Sequence, residues 1–285
     1  MVYPCRKGKM ADTIITGERL EEMCDVYLGN EQELRCNPRI ARQPNKHMPL
    51  SSIPMAWNNP LLLFCYTDCI HAFRELLPML QNDFILVTHN SDQNITSEVV
   101  DILEHPKLRF WHAQNVLLNH PKLGGIPIGV ANSMWRHGDV AAVGRVIASS
   151  IPKTNDFYFY FRVYTNTEAR ALCKDTLEKK GLQFGSVAPN FESYLRNMAS
   201  HKYAICPPGN GIDSHRIWEA LYIGVIPVCL RSIFTEKVNR RFPIILLDSW
   251  ADFDAAALLK SYVPPSYSLP IQEVNLREPV DYLRQ

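Results

Sequence analysis

Between Leu61 and Leu247, short apolar runs alternate with longer stretches of helical periodicity. LLLFCY at 61–66 and FILVTH at 84–89 are two of these runs, and a helical pattern follows each. Repeated alternation of strand and helix favours βαβ units, in which crossover helices join parallel strands. The pattern therefore predicts an α/β fold.

The alternation also predicts the individual elements. In the first half we expect strands at 61–66, 84–89, 108–113 and 126–130, and helices at 18–24, 68–80 and 96–104. In the second half we expect strands at 157–163, 203–207, 225–230 and 243–247, and helices at 167–180, 191–200, 214–223 and 251–262. Gly181 and Gly224 are expected to end two of these helices. Residues 38–60 are rich in Pro and Asn and are predicted to be irregular.

The chain has 285 residues, which favours two domains at roughly 100–200 residues each. SSIPKTND at 149–156 is small, polar and Pro-containing, and it suits a linker. We therefore expect domains at 1–150 and 151–285, with the C-terminal tail at 263–285 packing back on the first domain. Each half would be a Rossmann-like, doubly wound domain of minimal size. Two such domains face a cleft, where ligands bind at the carboxyl ends of the strands.

The composition narrows the choice of ligand. Hydrophobic residues make up 46% and charged residues 21%, which is ordinary globular usage and excludes disorder as the main state. The net charge is +1, so no overall field attracts nucleic acid or an anionic membrane, and an anionic ligand needs a local cluster of cations. No apolar run approaches the ~20 residues of a membrane span, and the first residues lack the apolar stretch of an export signal. The sequence predicts a soluble, cytoplasmic protein whose eight cysteines are reduced thiols.

A local cluster of candidate anion-binding residues lies in residues 203–230, YAICPPGNGIDSHRIWEALYIGVIPVCL. A predicted strand runs into a glycine-containing loop, and glycines let backbone N–H groups approach a ligand closely. A helix begins near Ser214, and its N-terminus adds unsatisfied donors and a positive dipole end. His215 and Arg216 place cationic side chains at the positive end of the helix dipole, and an anion such as a diphosphate would explain that placement. Glu219 lies on the same helical face and could accept hydrogen bonds from ribose hydroxyls. The candidate ligand-binding residues are Pro207, Gly209, Asn210, Gly211, Asp213, Ser214, His215, Arg216 and Glu219.

A second cluster lies where the first strand of the second half turns into its helix. It consists of Arg162, Thr165, Asn166 and Arg170. Two arginines with an Asn–Thr pair can grip a diphosphate through charge-assisted hydrogen bonds. Arg216 and Arg170 would offset the charge that develops on a leaving diphosphate without a metal or other cofactor. GNGIDS at 209–214 is one residue away from a dinucleotide fingerprint, but no acidic residue follows at the required strand end. A nicotinamide-dependent oxidoreductase is therefore disfavoured.

PPGNGIDSHRIWEALYIGVIPV resembles the donor-binding signature of exostosin-like glycosyltransferases. VTHNSD (87–92), HAQN (112–115), IPIGVANSMWRHG (126–138) and RVYTNTEAR (162–170) are similar to further motifs of this family. The same blocks resemble a small soluble group of this family in large DNA viruses of green algae, which includes a xylosyltransferase. The resemblance implies a GT-B fold, with a nucleotide-sugar donor in the second half and a glycan or glycoprotein acceptor in the first. UDP-xylose is the favoured donor, and the host cytoplasm is the implied location.

Asp252-Phe253-Asp254 is a D-x-D string, the metal signature of the other large glycosyltransferase fold. It stands at the entrance to the last predicted helix, where acidic residues favour the positive dipole end. We therefore expect a helix start at this string and no metal site.

The leading hypothesis is an inverting glycosyltransferase, whose carboxylate base would lie in the first half. Asp92 is preferred because HNSD resembles a family motif, and Asp68 and His89 are the other candidates. Trp135, Arg136 and His137 could shape the acceptor side. A retaining transferase of the same fold and a non-catalytic nucleotide- or glycan-binding protein remain alternatives.

Overall fold

The computed structural model describes residues 10–29, 47–49, 61–267 and 269–284. They form two sheets of parallel strands with helices between the strands, which confirms the predicted α/β class. Residues 38–46 and 50–60 of the predicted irregular stretch lie outside the described residues, whereas 47–49 form a short strand, so the prediction is wrong for that part. Within the described ranges, no helix has the length and apolar character required to cross a membrane.

Among the described residues, the first sheet has six strands in the order β2-β1-β3-β4-β5-β6. From β3 the strands progress in one direction to β6, whereas β1 and β2 extend the other way. This reversal is the mark of a doubly wound sheet, and it places a crevice at the carboxyl ends of the strands where the order reverses. The strands are β1 Val26–Gly29, β2 His47–Pro49, β3 Leu61–Tyr66, β4 Phe84–His89, β5 Leu108–Ala113 and β6 Leu123–Gly125. The helices of this half are α1 Gly17–Glu22, α2 Ile70–Leu76, α3 Val100–Leu103 and α4 Val140–Ala148.

The second sheet has four strands in the order β10-β9-β8-β7, which follows the chain without a reversal among the described strands. The doubly wound order predicted for this half is therefore absent from its described part. The strands are β7 Asn155–Tyr158, β8 His201–Ile205, β9 Ile226–Leu230 and β10 Ile245–Leu247. The helices are α5 Thr167–Lys179, α6 Phe191–Ala199, α7 His215–Tyr222, α8 Ile233–Arg241 and α9 Ala255–Lys260.

Two predicted strands differ from the structure. The segment at 126–130 is irregular because Pro127 has no N–H to donate to a ladder and Gly129 has a left-handed φ of 67°. β7 ends at Tyr158 instead of 163 because the Phe159 carbonyl accepts a hydrogen bond from Gly185 N–H, outside the sheet. The helix ends predicted at Gly181 and Gly224 are confirmed, with φ values of 91° and 68°. The sequence pattern predicts neither α4 nor α8.

The two halves share a hydrophobic core. One cluster of buried residues includes Phe64 and Val87 of the first sheet together with Ala204 and Cys229 of the second. It also contains residues of α1, α4, α6, α7 and α8, so these helices lie between the two sheets. Separate clusters cover the outer faces, with α2 and α3 on the first sheet and α5 and α9 on the second. Shared burial fixes the two sheets against each other.

The C-terminal tail contacts both halves. Asp281 accepts a hydrogen bond from Gly125 N–H of β6 at 2.9 Å, and its other oxygen lies 3.1 Å from Lys237 Nζ of α8. Both side chains of this ion pair are buried, with exposed fractions of 3% for Lys237 and 6% for Asp281. Arg277 adds an exposed ion pair with Asp25 of the first half. The tail therefore links α8 to the edge strand of the first sheet.

Replacing Lys237 by Met should destabilise the protein strongly, because the variant keeps the aliphatic stem and leaves the Asp281 carboxylate buried without its cation. We expect a loss of about 3 kcal/mol in the free energy of unfolding, measured by urea denaturation. Lys202→Met is the matched control, since the Lys202–Asp156 pair is partly exposed and should contribute about 1 kcal/mol or less. Equal losses in the two variants would contradict this account of the tail.

Candidate functional site

A cleft of about 1210 Å³ lies between the two halves. Its first-half wall is formed by the ends of β3 and β4 and by the loop at 132–137, and its second-half wall by the loop after β8, the start of α7 and the loop at 187–191. Most of the candidate residues line this cleft: Asp68, His89, Asp92, Arg162, Thr165, Arg170, Gly209, Asn210, Gly211, Asp213, Ser214, His215, Arg216 and Glu219. Asn166 and Pro207 are not among its lining residues.

Ser214 is the N-cap residue of α7, but its side chain makes no capping hydrogen bond. Its Oγ is buried and has no partner among the described residues. An N-cap serine normally accepts a bond from an N–H of the first turn, and an unpaired buried hydroxyl costs roughly 1–3 kcal/mol. The first turn of α7 therefore begins beside the cleft with a buried hydroxyl that has no partner in the described structure.

Arg216 follows in the same turn, and its guanidinium lies between two aromatic rings. The carbon of the guanidinium is 5.9 Å from the ring centre of Tyr158 and 5.5 Å from that of Tyr194. Nε and Nη1 are buried and, within the described part of the chain, have no partner with the distance and angles of a hydrogen bond, although the guanidinium interacts with the Tyr158 hydroxyl. Arginine stays charged in proteins, so these donors need an acceptor. An anion at the start of α7 would supply it.

Glu219 is buried one turn below and accepts a hydrogen bond from the Tyr194 hydroxyl at 2.6 Å. Burial raises the pKa of Glu219, and the hydrogen bond from Tyr194 and the charge of Arg216 oppose that rise. Tyr194 of α6 thus contacts both candidate residues, yet sequence reasoning did not select it. No local signal marked it, because a tyrosine on the inner face of a helix is most often a core residue.

Arg170 and Asn166 hold the loop that follows β8. Arg170 donates from Nε to the Pro208 carbonyl and from Nη1 to the Arg162 carbonyl, each at 2.9 Å. Asn166 Nδ2 donates to the Gly209 carbonyl at 2.8 Å. Burial and then the charge of Arg216 lower the pKa of Arg170 to about 10. The second predicted cluster therefore contains two residues that position the glycine loop, Asn166 and Arg170, and three that line the cleft, Arg162, Thr165 and Arg170.

Asp213 lies at the junction of the two halves, and protein donors occupy both of its carboxylate oxygens. Oδ2 accepts from Ile128 N–H at 2.7 Å, and Oδ1 accepts from Trp218 Nε1–H at 2.6 Å. Its own N–H donates to Asn115 Oδ1 at 2.8 Å. Burial raises the pKa of Asp213 to about 7. These bonds place the start of α7 against the first half.

His215 makes a second bond across the junction. Its Nδ1–H donates to the Gly129 carbonyl at 2.8 Å, and its ring meets the ring of His137 edge to face at 6.0 Å. Burial lowers the pKa of His215, against the opposing effects of the Gly129 carbonyl and the Asp92 charge. His215 therefore contributes less positive charge to the unliganded cleft than the sequence pattern indicates.

The three candidate bases lie on the first-half wall in different environments. Asp92 is exposed and accepts from Asn210 Nδ2 across the cleft at 3.1 Å, and Asp68 is exposed and accepts from Ser91 Oγ at 2.7 Å. His89 is buried, and its Nε2 lies 3.1 Å from the Pro127 carbonyl. Burial lowers the pKa of His89 to about 4. The carboxylates are thus accessible to a substrate, whereas the imidazole is held by the protein.

The D-x-D string lies outside this cleft. Asp254 is the N-cap of α9 and accepts from Ala257 N–H, and Asp252 accepts from Ser249 N–H in a capping box. The predicted helix start is confirmed. Across the ranges that the structure describes, no three His, Cys, Asp or Glu side chains lie close enough together to hold a metal ion.

Neither protein-family models nor curated protein sequences give a match to this chain. The functional assignment therefore depends on the geometry of the cleft and on the motifs of the sequence itself.

Replacing Asp213 by Asn should change how the stability of the protein varies with pH. Because the folded-state pKa of about 7 exceeds the ordinary value of 3.8, the folded protein retains a proton that the unfolded chain releases. Unfolding therefore becomes more favourable as the pH rises between these values, by up to about 1.4 kcal/mol per pH unit. The amide does not titrate, so the stability of the wild type relative to Asp213→Asn should fall from pH 4.5 to pH 7 in urea titrations. If the stabilities of the wild type and of Asp213→Asn change with pH in parallel, the raised pKa of the buried Asp213 carboxyl is contradicted.

Proposed function

We propose that this protein is an inverting glycosyltransferase of the GT-B type, which transfers a sugar from a nucleoside-diphosphate donor to a hydroxyl of a glycan or glycoprotein. UDP-xylose is the favoured donor. The observation that carries the proposal is the set of buried, unpartnered donors at the start of α7, Ser214 Oγ with Nε and Nη1 of Arg216, in the described residues. The resemblance of PPGNGIDSHRIWEALYIGVIPV to exostosin-like transferases supports it.

The donor diphosphate lies at the start of α7 in this proposal. Helix N-termini bind phosphates because their backbone donors and dipole favour negative charge, and Arg216 adds a fixed cation. Arg162, which is exposed in the cleft, supplies a second cation. The ribose then reaches Glu219, whose carboxyl is held by Tyr194. The nucleobase lies against the second-half loop at 187–191, where Pro189 and Phe191 line the cleft.

The size of the cleft supports two substrates. A pocket for one drug-sized ligand occupies roughly 300–1,000 Å³, and the volume of about 1210 Å³ exceeds that range. The unpartnered cation lies on the second-half wall, whereas Asp68 and Asp92 lie on the first-half wall. A sugar donor on one wall would therefore face a carboxylate on the other.

In the proposed reaction, the acceptor oxygen attacks the anomeric carbon while the bond from that carbon to the diphosphate breaks. A first-half carboxylate takes the proton of the attacking hydroxyl. Arg216, Arg162 and the start of α7 stabilise the charge that develops on the leaving diphosphate. In this scheme a divalent metal is not required. The product has the inverted anomeric configuration, and retention of configuration in the product would support the alternative retaining mechanism instead.

Replacing Arg216 by Ala should weaken UDP binding by about 1.5–3 kcal/mol, or roughly 10- to 100-fold in Kd, because a charge-assisted contact to phosphate is lost. Isothermal titration calorimetry measures the effect. Arg109→Ala is the control, since Arg109 is exposed on β5, pairs with Asp83 and is not among the residues that line the cleft. An unchanged Kd in a folded Arg216→Ala variant would refute the phosphate assignment.

Replacing Asp92 by Asn should lower kcat by roughly 10²–10⁴-fold and leave UDP affinity nearly unchanged, because the amide preserves the volume but cannot accept a proton. The assay follows release of UDP from UDP-xylose with a glycan acceptor. Asp68→Asn is the paired variant and should retain most activity. The opposite order would move the base to Asp68, and full activity in both variants would contradict a base on either carboxylate.

A further inference from the structure

Trp135 is an exposed tryptophan at the mouth of the cleft. Its exposed fraction is 55%, and the neighbouring Met134 is 40% exposed. Both residues line the cleft. The other tryptophans that the structure describes, Trp111, Trp218 and Trp250, are fully buried or nearly so. Two adjacent exposed apolar side chains that line a cleft form a candidate contact surface for a ligand.

The loop that carries Trp135 is held in one conformation. Trp135 N–H donates to the Asn132 carbonyl at 3.0 Å, and Gly138 N–H donates to the Trp135 carbonyl at 2.9 Å. A Cβ added at Gly138 would lie 2.0 Å from the Asn132 carbonyl oxygen, so only glycine fits this turn. The indole is therefore presented by a tight turn.

Side-chain bonds tie the same loop to the start of α1. Asn132 Oδ1 accepts from Glu18 N–H at 2.9 Å, and the Glu18 carboxylate accepts from the hydroxyl of Ser133 at 2.8 Å. The ring of His137 stacks beside the indole at 6.4 Å and 25°. A binding surface that is fixed in advance loses little entropy when its ligand arrives.

The position of Trp135 indicates which substrate it contacts. It belongs to the first-half wall, and the phosphate donors at α7 and the loop at 187–191 belong to the second-half wall. If the nucleotide occupies the second-half wall, a ring that stacks on Trp135 belongs to the other substrate. This step rests on the proposed function.

We propose that Trp135 is a stacking surface for a sugar ring of the acceptor. One face of a pyranose ring carries C–H groups and is apolar, whereas its rim carries hydroxyls. The indole offers a flat apolar face of matching size, and Arg136 and His137 beside it offer polar groups to the rim. The surface selects a cyclic saccharide over a flexible polar chain.

Saturation-transfer NMR tests this proposal with methyl glycosides of glucose, galactose, mannose and xylose as probes and uridine as the competing aromatic ligand. With the wild type we expect at least one glycoside to receive saturation on its C–H face. Trp135→Phe should keep binding within about threefold, and Trp135→Ala should weaken it about tenfold or more. Leu172→Ala, at an exposed position on α5 that does not line the cleft, should bind like the wild type.

Three results would overturn the proposal. The first is that no glycoside receives saturation from the wild type, and the second is that Trp135→Ala binds the glycosides as tightly as the wild type. The third is a uridine signal that depends on Trp135, which would assign the indole to a nucleobase. UDP calorimetry on Trp135→Ala separates this proposal from the glycosyltransferase assignment. We expect its UDP affinity to equal that of the wild type. Failure of the wild type to bind UDP would refute the donor site without bearing on the glycoside signals.

Discussion

The buried contact between Asp213 and the first half determines the geometry of the cleft. Its carboxylate accepts hydrogen bonds from Ile128 of one half and Trp218 of the other, and its N–H donates to Asn115. These short bonds at a buried residue fix the start of α7 opposite the ends of β3 and β4. Because the central core is shared by both sheets, the walls of the cleft have a defined spacing before any ligand binds.

The start of α7, which this junction holds in place, differs from an ordinary helix start. A serine N-cap, the buried nitrogens of a half-buried arginine and a dipole end would normally be satisfied by local acceptors or by water. Here Ser214 Oγ and two nitrogens of Arg216 have no partner in the described part of the protein. The cost of leaving such groups unpaired is roughly 1–3 kcal/mol each. Under the proposed function, this cost would be recovered when the donor diphosphate binds.

The sequence predicted the α/β class and the segment that carries the helix start, because strand–loop–helix patterns are local in the chain. It did not predict the junction, since Asn115 and Asp213 are 98 positions apart. Asp213 is a candidate ligand-binding residue by its place in the motif, yet its oxygens are occupied by protein donors. Tyr194 and the loop at 187–191 were missed for the same reason, because only the folded chain brings them to the cleft. Pro127 shows a different limit of sequence-based prediction. Because Pro127 has no N–H to donate, the apolar run at 126–130 does not continue as a strand of the sheet.

A crystal structure of the protein with UDP would show whether the start of α7 binds the diphosphate. We expect the diphosphate there, with its oxygens within hydrogen-bond distance of Ser214 Oγ and the Arg216 guanidinium, and with the ribose on the side of Glu219. UDP bound on the first-half wall, or elsewhere on the molecule with Ser214 and Arg216 still unpartnered, would contradict it.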